Sequence, residues 1–492
     1  MLAPKVSEYL DANRGKHLEE LKELLRIPSV SAQPKHAEDM TRGANWVAEA
    51  LRRAGMARVE VMPTGGHPLV YAEWLNAPGK PTVLVYGHYD VQPPEPLELW
   101  TSPPFEPTER GGKLYARGAT DDKGQIFAHI KGVEALMATE GALPVNVKFL
   151  IEGEEEVGSE NLERFVRMHR EMLRADVVAI SDTAMWDEKT PAITYSLRGL
   201  VYYQVDVKGA KGDQHSGTFG GAIKNPIEAL VELLDGMKDN KTGKITIPGF
   251  YDDVDVSSAE RKALAKLPHS DRQYAKELGV KTLWGEQGWS TVERTTVRPT
   301  FEINGIWGGY TGAGAKTVLP AEAHAKVSMR LNPGQDPKKI MKLFERTVKE
   351  RAHPSVQVSV HNLSGGWGAK VPLDHPAMRA GSRAVKAGFG KEPVYSAEGG
   401  SIPVVAMFQQ VLGVPSILMG FGLHTENLHA PNEHFDIGNF HKGIRTSAAF
   451  FTALAQEDLS VTPKAAKKDP ARKGAAKKKA PAKKMAGKKA KR

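Results

Sequence analysis

The chain has 492 residues, 40% of them hydrophobic and 25% charged, and no cysteine. That length suits about two to four domains with real cores, and the missing thiols exclude disulfides, thiolate metal sites and a cysteine nucleophile. The net charge of +9 belongs to the tail: residues 461–492 hold 14 Lys+Arg against one acid, and subtracting these from totals of 67 and 58 leaves 53 and 57, a net of −4.

The opening stretch lacks the uninterrupted apolar core of a signal peptide. No run approaches the roughly 18 apolar residues of a membrane span. The expectation is a cytoplasmic protein without membrane contact. Leu18, Leu21, Leu24 and Leu25 share one face of a first helix that Pro28 ends, and a second helix spans about Met40 to Ala54. Strands follow at Leu69–Trp74 and Thr82–Gly87, then a helix at Gly124–Met137, a strand at Val145–Ile151, a helix at Leu162–Leu173 and a strand at Asp176–Ile180. Helices alternating with nearly all-apolar strands predict an α/β domain around a largely buried sheet.

From about Ala192 the texture changes. Gly199–Val207 and Ala323–Leu331 have the pattern of half-exposed strands, helices are expected at Ile227–Met237 and Pro337–Arg351, and Val356–Val360 adds a strand. This composition suits one antiparallel sheet with helices on one face. After about Gly368 the α/β texture returns, with helices at Pro376–Gly388, Val404–Val411 and Asn439–Leu454 and a strand at Val414–Met419. The expected fold is a mixed-sheet α/β domain (1–191 and 369–456) interrupted by an α+β unit (192–368), followed by a tail (457–492). The tail is nearly all Lys, Ala, Pro and Gly and is expected to be disordered. Such a polybasic segment is suited to nonspecific contact with nucleic acid or another polyanion, and a solubilising appendage is the ordinary alternative.

His88 and Asp90 stand where the run VLVYG ends, at the carboxyl end of a strand, the edge where open α/β sheets bind ligands. A spacing of two in extended chain puts both side chains on one face, so Asp90 can orient His88 as a metal ligand. A surface turn would explain the pair alone. Asp121 and Asp122 precede a helix and could be a simple N-cap. Glu152, Glu154, Glu155 and Glu156 crowd four carboxylates at the end of another strand, and a divalent cation would offset their repulsion. A solvated acidic loop is the alternative. Asp182 ends a further strand and His429 lies in a late loop. Together these strand-end sites favour a two-metal hydrolase centre over any one bland reading.

The motifs His88-Tyr89-Asp90-Val91-Gln92-Pro93, Arg117-Gly118-Ala119-Thr120-Asp121-Asp122-Lys123-Gly124, Glu155-Glu156, Asp213-Gln214-His215-Ser216-Gly217 and Glu398-Gly399-Gly400-Ser401-Ile402-Pro403 resemble those of co-catalytic zinc dipeptidases. The resemblance is to the carnosinase and cytosolic nonspecific dipeptidase branch. Aminoacylases, acetylornithine deacetylases and succinyl-diaminopimelate desuccinylases are more distant. It implies that His88, Asp121 and Asp182 hold one metal and Asp121, Glu156 and His429 the other, with Zn²⁺ foremost and Mn²⁺ as the other candidate. It implies Glu155 as general base and then acid, Asp90 as the residue orienting His88, and a cis Asp121–Asp122 peptide. It places His215 across a homodimer interface formed by the inserted lid domain, polarising the substrate carbonyl, with Thr317, Arg330 and Ser401 as substrate contacts. Arg330 suits the free carboxylate of a dipeptide. An ordinary loop histidine, a strand-edge charge and a tight turn are the alternatives for His215, Arg330 and Ser401.

Glu154 stands where relatives often carry a hydrophobic residue, a departure that bears on local charge and metal preference. His424 and Glu426 compete with His429 as ligands in the late loop, while His434 is expected to be structural and His375 a helix-start residue. The function so implied is metal-dependent hydrolysis of dipeptides. N-acyl-amino-acid deacylation is the near alternative, and a non-catalytic nucleic-acid-associated protein is the distant one.

Overall fold

The computed structural model describes residues 2–459, so the expectations for residues 461–492 lie outside the described residues. Its main body is a nine-stranded mixed sheet in the order Arg58–Met62, Leu69–Trp74, Asn146–Glu152, Thr82–His88, Val177–Ile180, Ser416–Leu418, Ala192–Leu197 and Ala369–Lys370, with Val394–Glu398 also pairing to Ala192–Leu197. Alternation along each strand divides the core. Val83 and Val85 face one layer, with the helices Ala37–Arg53, Lys123–Glu140, Pro376–Phe389 and Ile437–Leu454. Leu84 and Tyr86 face the other, with Phe165, Val166, Val405 and Phe408. Strands covered on both faces have no polar side to show, which is why their sequences are continuously apolar. Each Val, Leu or Phe so buried contributes about 1.5–3 kcal/mol.

The four strands Asn146–Glu152, Thr82–His88, Val177–Ile180 and Ser416–Leu418 run parallel. Their carboxyl ends therefore meet at one edge, and register sets His88 opposite Glu152. The site is built on that edge.

The inserted unit is an antiparallel sheet in the order Thr300–Gly308, Glu322–Leu331, Gly199–Lys208, Gln357–Gly366. Val201, Tyr203, Val205 and Val207 turn one face towards the helices Pro226–Asp235 and Pro337–Arg351, and Gln204, Asp206 and Arg330 lie on the opposite face. The strand Ala192–Leu197 is wholly buried and pairs within the large sheet, so the chain crosses between units at Arg198–Gly199 rather than before Ala192. At the far end, Glu457 takes ion pairs at 2.7 Å from both Arg379 and Arg383 and Leu459 packs on the core, so residues 457–459 belong to the body.

Several elements escape the sequence patterns. Thr300–Gly308 is an edge strand whose register shifts between Ile303 and Gly305, which breaks its alternation. The helix from Leu162 stops at Met168, short of Leu173. No described helix is long and apolar enough to cross a membrane.

Candidate metal centre

His88 ends its strand fully buried, and its Nδ1 faces the Asp90 carbonyl at 3.1 Å and the Asp90 carboxylate at 3.4 Å. Its Nε2 lies 3.2 Å from Asp121 Oδ1 and, though buried, forms no hydrogen bond. His429 Nε2 approaches Asp121 Oδ2 at 2.8 Å and Glu156 Oε2 at 3.3 Å. Two groups of ligand atoms result, His88–Asp121–Asp182 and Asp121–Glu156–His429, each within 4.8 Å and sharing Asp121. An orphaned buried imidazole nitrogen, two histidines and carboxylates without thiolate make a donor set that fits a pair of divalent cations.

The electrostatics point the same way. Burial, with Asp121 nearby, pushes Asp182 up to about 7 and Glu156 up to about 8. Glu155 is also raised, chiefly by burial. Burial alone would raise Asp121 too, but the hydrogen bond with His429 and the close imidazole of His88 hold it below the usual carboxylate range. The hydrogen bond to Asp121 in turn lifts His429 to about 9. Carboxylates this crowded ionise together only when cations sit among them.

Asp90 makes further contacts besides those with His88. Its two carboxylate oxygens accept from the backbone N–H groups of Glu155 (3.3 Å) and Glu156 (3.1 Å), which fixes the short turn carrying both side chains. Gln92 Nε2 donates to Glu156 Oε2 at 2.8 Å. On the Asp121 side, buried Glu433 accepts from the N–H groups of Gly118, Thr120 and Asp121 and from Arg117 Nη1. The peptide Asp121–Asp122 is cis, and Asp122 Oδ2 accepts from the His88 N–H at 3.1 Å.

The remaining candidates separate cleanly. Glu154 turns away from the ligand groups, accepting from His67 N–H at 2.9 Å and from Asn161 Nδ2, so it clamps a neighbouring loop instead of adding charge to the centre. Glu426 is buried and accepts from Leu423 N–H, Thr120 Oγ1 and Asp436 N–H, while His424 is exposed. His434 contacts Lys113 Nζ and the Asn432 carbonyl, and His375 caps the helix Pro376–Phe389 through Ala377 N–H.

Arg330 and Ser401 come together across the two units, Arg330 Nη1 donating to Ser401 Oγ at 3.2 Å while Ser401 donates to the Arg198 carbonyl at 2.6 Å. His215 and Thr317 neighbour each other on a separate two-stranded arm, where His215 pairs with Val318 and Ser216 N–H donates to the Thr317 carbonyl. His215 is exposed, and its side-chain hydrogen bonds stay within its own turn.

Glu433, Gln92 and the second role of Asp90 are missed by sequence reasoning. Glu433 is more than 300 residues from the loop it clamps, and only its charge in the LHAPNEHF loop offered a signal.

Residues 84–453 match the profile described as peptidase family M20/M25/M40. The chain is 34% identical over 473 residues to the human Beta-Ala-His dipeptidase, covering 92% of this chain and 93% of that one. It is 33% identical over 486 residues to the Schizosaccharomyces pombe Cys-Gly metallodipeptidase dug1, covering 94% and 100%. Among solved structures, human carnosine dipeptidase 1 superposes with a TM-score of 0.70 at 33% identity, covering 92% of this chain and 98% of that one. The metallo-carboxypeptidase Sso-CP2 of Sulfolobus solfataricus gives 0.75 at 32% identity, covering 90% and 99%.

Proposed function

The chain belongs to peptidase family M20/M25/M40, and from that premise we propose that it is a metallo-dipeptidase using two divalent cations. The observation that carries the proposal is the pair of ligand groups sharing Asp121, with Glu155 on the turn beside them. His88, Asp121 and Asp182 would hold one ion and Asp121, Glu156 and His429 the other. Zn²⁺ suits this nitrogen and oxygen set best, and Mn²⁺ is the other candidate. When bound, such a pair lowers the pKa of a water towards about 7 and polarises a carbonyl.

The protein's own residues supply the rest. Glu155, raised by burial and held by Asp90 through its N–H, takes a proton from the attacking water and returns it to the leaving amine. Arg330, steadied by Ser401, receives the free carboxylate of the substrate. His215 and Thr317 complete the site from the second copy of a homodimer, with His215 donating to the developing oxyanion. Their exposed arm and the apolar side chains of Ile303, Ile306, Trp307 and Tyr310, each 44–51% exposed on and after the edge strand, support that arrangement. The inserted unit would act as the lid that brings Arg330 to the substrate.

Enzyme stripped with chelator and restored with Zn²⁺ or Mn²⁺ should regain cleavage of dipeptides, with tripeptides and N-acetyl amino acids weak. Activity confined to N-acetyl amino acids would move the reading to deacylation while keeping the site.

A further inference from the structure

A cavity of about 520 Å³ opens between the four-stranded sheet and the preceding segment Trp284–Thr300. Its lining is strongly cationic. Arg298 is answered by Glu286 through two bonds of 2.7 and 2.6 Å, and Lys238 by Glu302 at 3.6 Å. Three guanidinium groups are left over. Arg198, Arg294 and Arg330 line the same cavity, and none forms an ion pair with a carboxylate among the described residues.

Their partners are neutral. Arg198 is 8% exposed, with Nε donating to the Gly399 carbonyl and Nη1 to the carbonyls of Arg298 and Arg294. Arg294 Nη2 donates to Thr291 Oγ1 at 2.8 Å, and Arg330 to Ser401 Oγ. Arg198 is buried and Arg294 and Arg330 are half-buried, and none has a carboxylate at ion-pair distance, so the cavity that gathers them suits anionic groups.

On the dipeptidase reading, from which this inference proceeds, Arg330 and Ser401 take one such group, the substrate's terminal carboxylate. One carboxylate leaves most of the positive charge unanswered. Arg330, Arg294 and Arg198 line this one cavity, so a substrate whose carboxylate meets Arg330 has the other two guanidinium groups beside its C-terminal residue. We propose that this cavity holds that side chain and selects an acidic one, so that the favoured substrates are dipeptides ending in Asp or Glu.

Ala-Glu and Ala-Gln differ at that side chain by charge at nearly constant shape. With the metal-restored enzyme at low ionic strength, kcat/KM for Ala-Glu should exceed that for Ala-Gln at least tenfold, mainly through KM. Arg294→Gln should bring the ratio close to one, and Arg294→Lys should keep most of it. Equal or faster cleavage of Ala-Gln overturns the acidic preference, and a ratio that Arg294→Gln leaves intact overturns its assignment to this cavity; either result leaves the dipeptidase reading standing. Failure to cleave any dipeptide with either metal overturns both.

Discussion

Glu155 and Glu156 are adjacent in the chain yet take different roles in the proposed mechanism, and their side-chain contacts differ accordingly. Asp90 grips both N–H groups, Gln92 restrains Glu156, and the Glu155 carboxylate lies within the field of His88, Asp121 and His429. Glu155→Gln keeps the size of the side chain and removes its ability to take a proton. We expect a loss of about 10²–10⁴-fold in kcat with two metals per chain still bound, measured by elemental analysis beside the turnover assay. A near-wild-type rate with normal metal content would remove Glu155 from the mechanism. The five candidate ligands were legible in the sequence because they lie at strand ends or in motif runs, and the family resemblance sorted them into two groups. Their supports were not legible there. Glu433 and Gln92 are ordinary polar residues until folding sets them against Asp121 and Glu156.

Elements converge on the site because four strands are parallel and end at one edge, and that much follows from apolar runs alternating with helices. How the helices behind them pack was harder to foresee. The helix Arg14–Leu25 lies against Lys123–Glu140, and His17 is fully buried there with neither ring nitrogen hydrogen-bonded. Burial, with Lys131 close by, lowers His17 to about 4. Its unfolded value is about 6.5, so as pH falls through 6.5 the unfolded chain takes the proton first and stability drops until about pH 4. Glu134 adds to this from lower pH. Burial would raise it, but hydrogen bonds from Lys131 and Lys16 hold it at about 2, so its contribution is lost as pH falls from about 4.5. His17→Leu should flatten the dependence of Tm on pH between 6.5 and 4 relative to the parent. Acid loss of metal affects both proteins alike, so identical slopes would show that His17 is not the titrating group. No periodicity signals this cluster, since a histidine on a helix face looks the same whether it meets water or another helix.

At the scale of the whole molecule, the two units join where two chain crossings lie side by side. A Cβ on Gly368 would stand 2.7 Å from the Leu197 carbonyl oxygen and 2.8 Å from Gly199 N, and one on Gly199 would stand 2.8 Å from the Gly366 carbonyl oxygen. All are backbone atoms, so neither crossing can yield without moving a unit. The same junction carries Arg198, whose carbonyl holds Ser401 against Arg330. Gly368→Ala should therefore shift the inserted unit, raise KM and lower kcat together, and leave metal content unchanged. An unaltered KM would mean that the crossing does not set the placement of Arg330.

The sequence alone determined the mixed α/β class, which depends on local apolar periodicity, and it offered the metal-ligand candidates through short motifs and their family resemblance. The tertiary structure decided where the chain crosses between units, which strand belongs to which sheet, that Glu154 faces away from the centre, and how Asp90 and Glu433 hold the ligands in place. Each of these is a contact between segments far apart in the chain. The same residue types serve equally well in other pairings, so only the folded geometry selects among them.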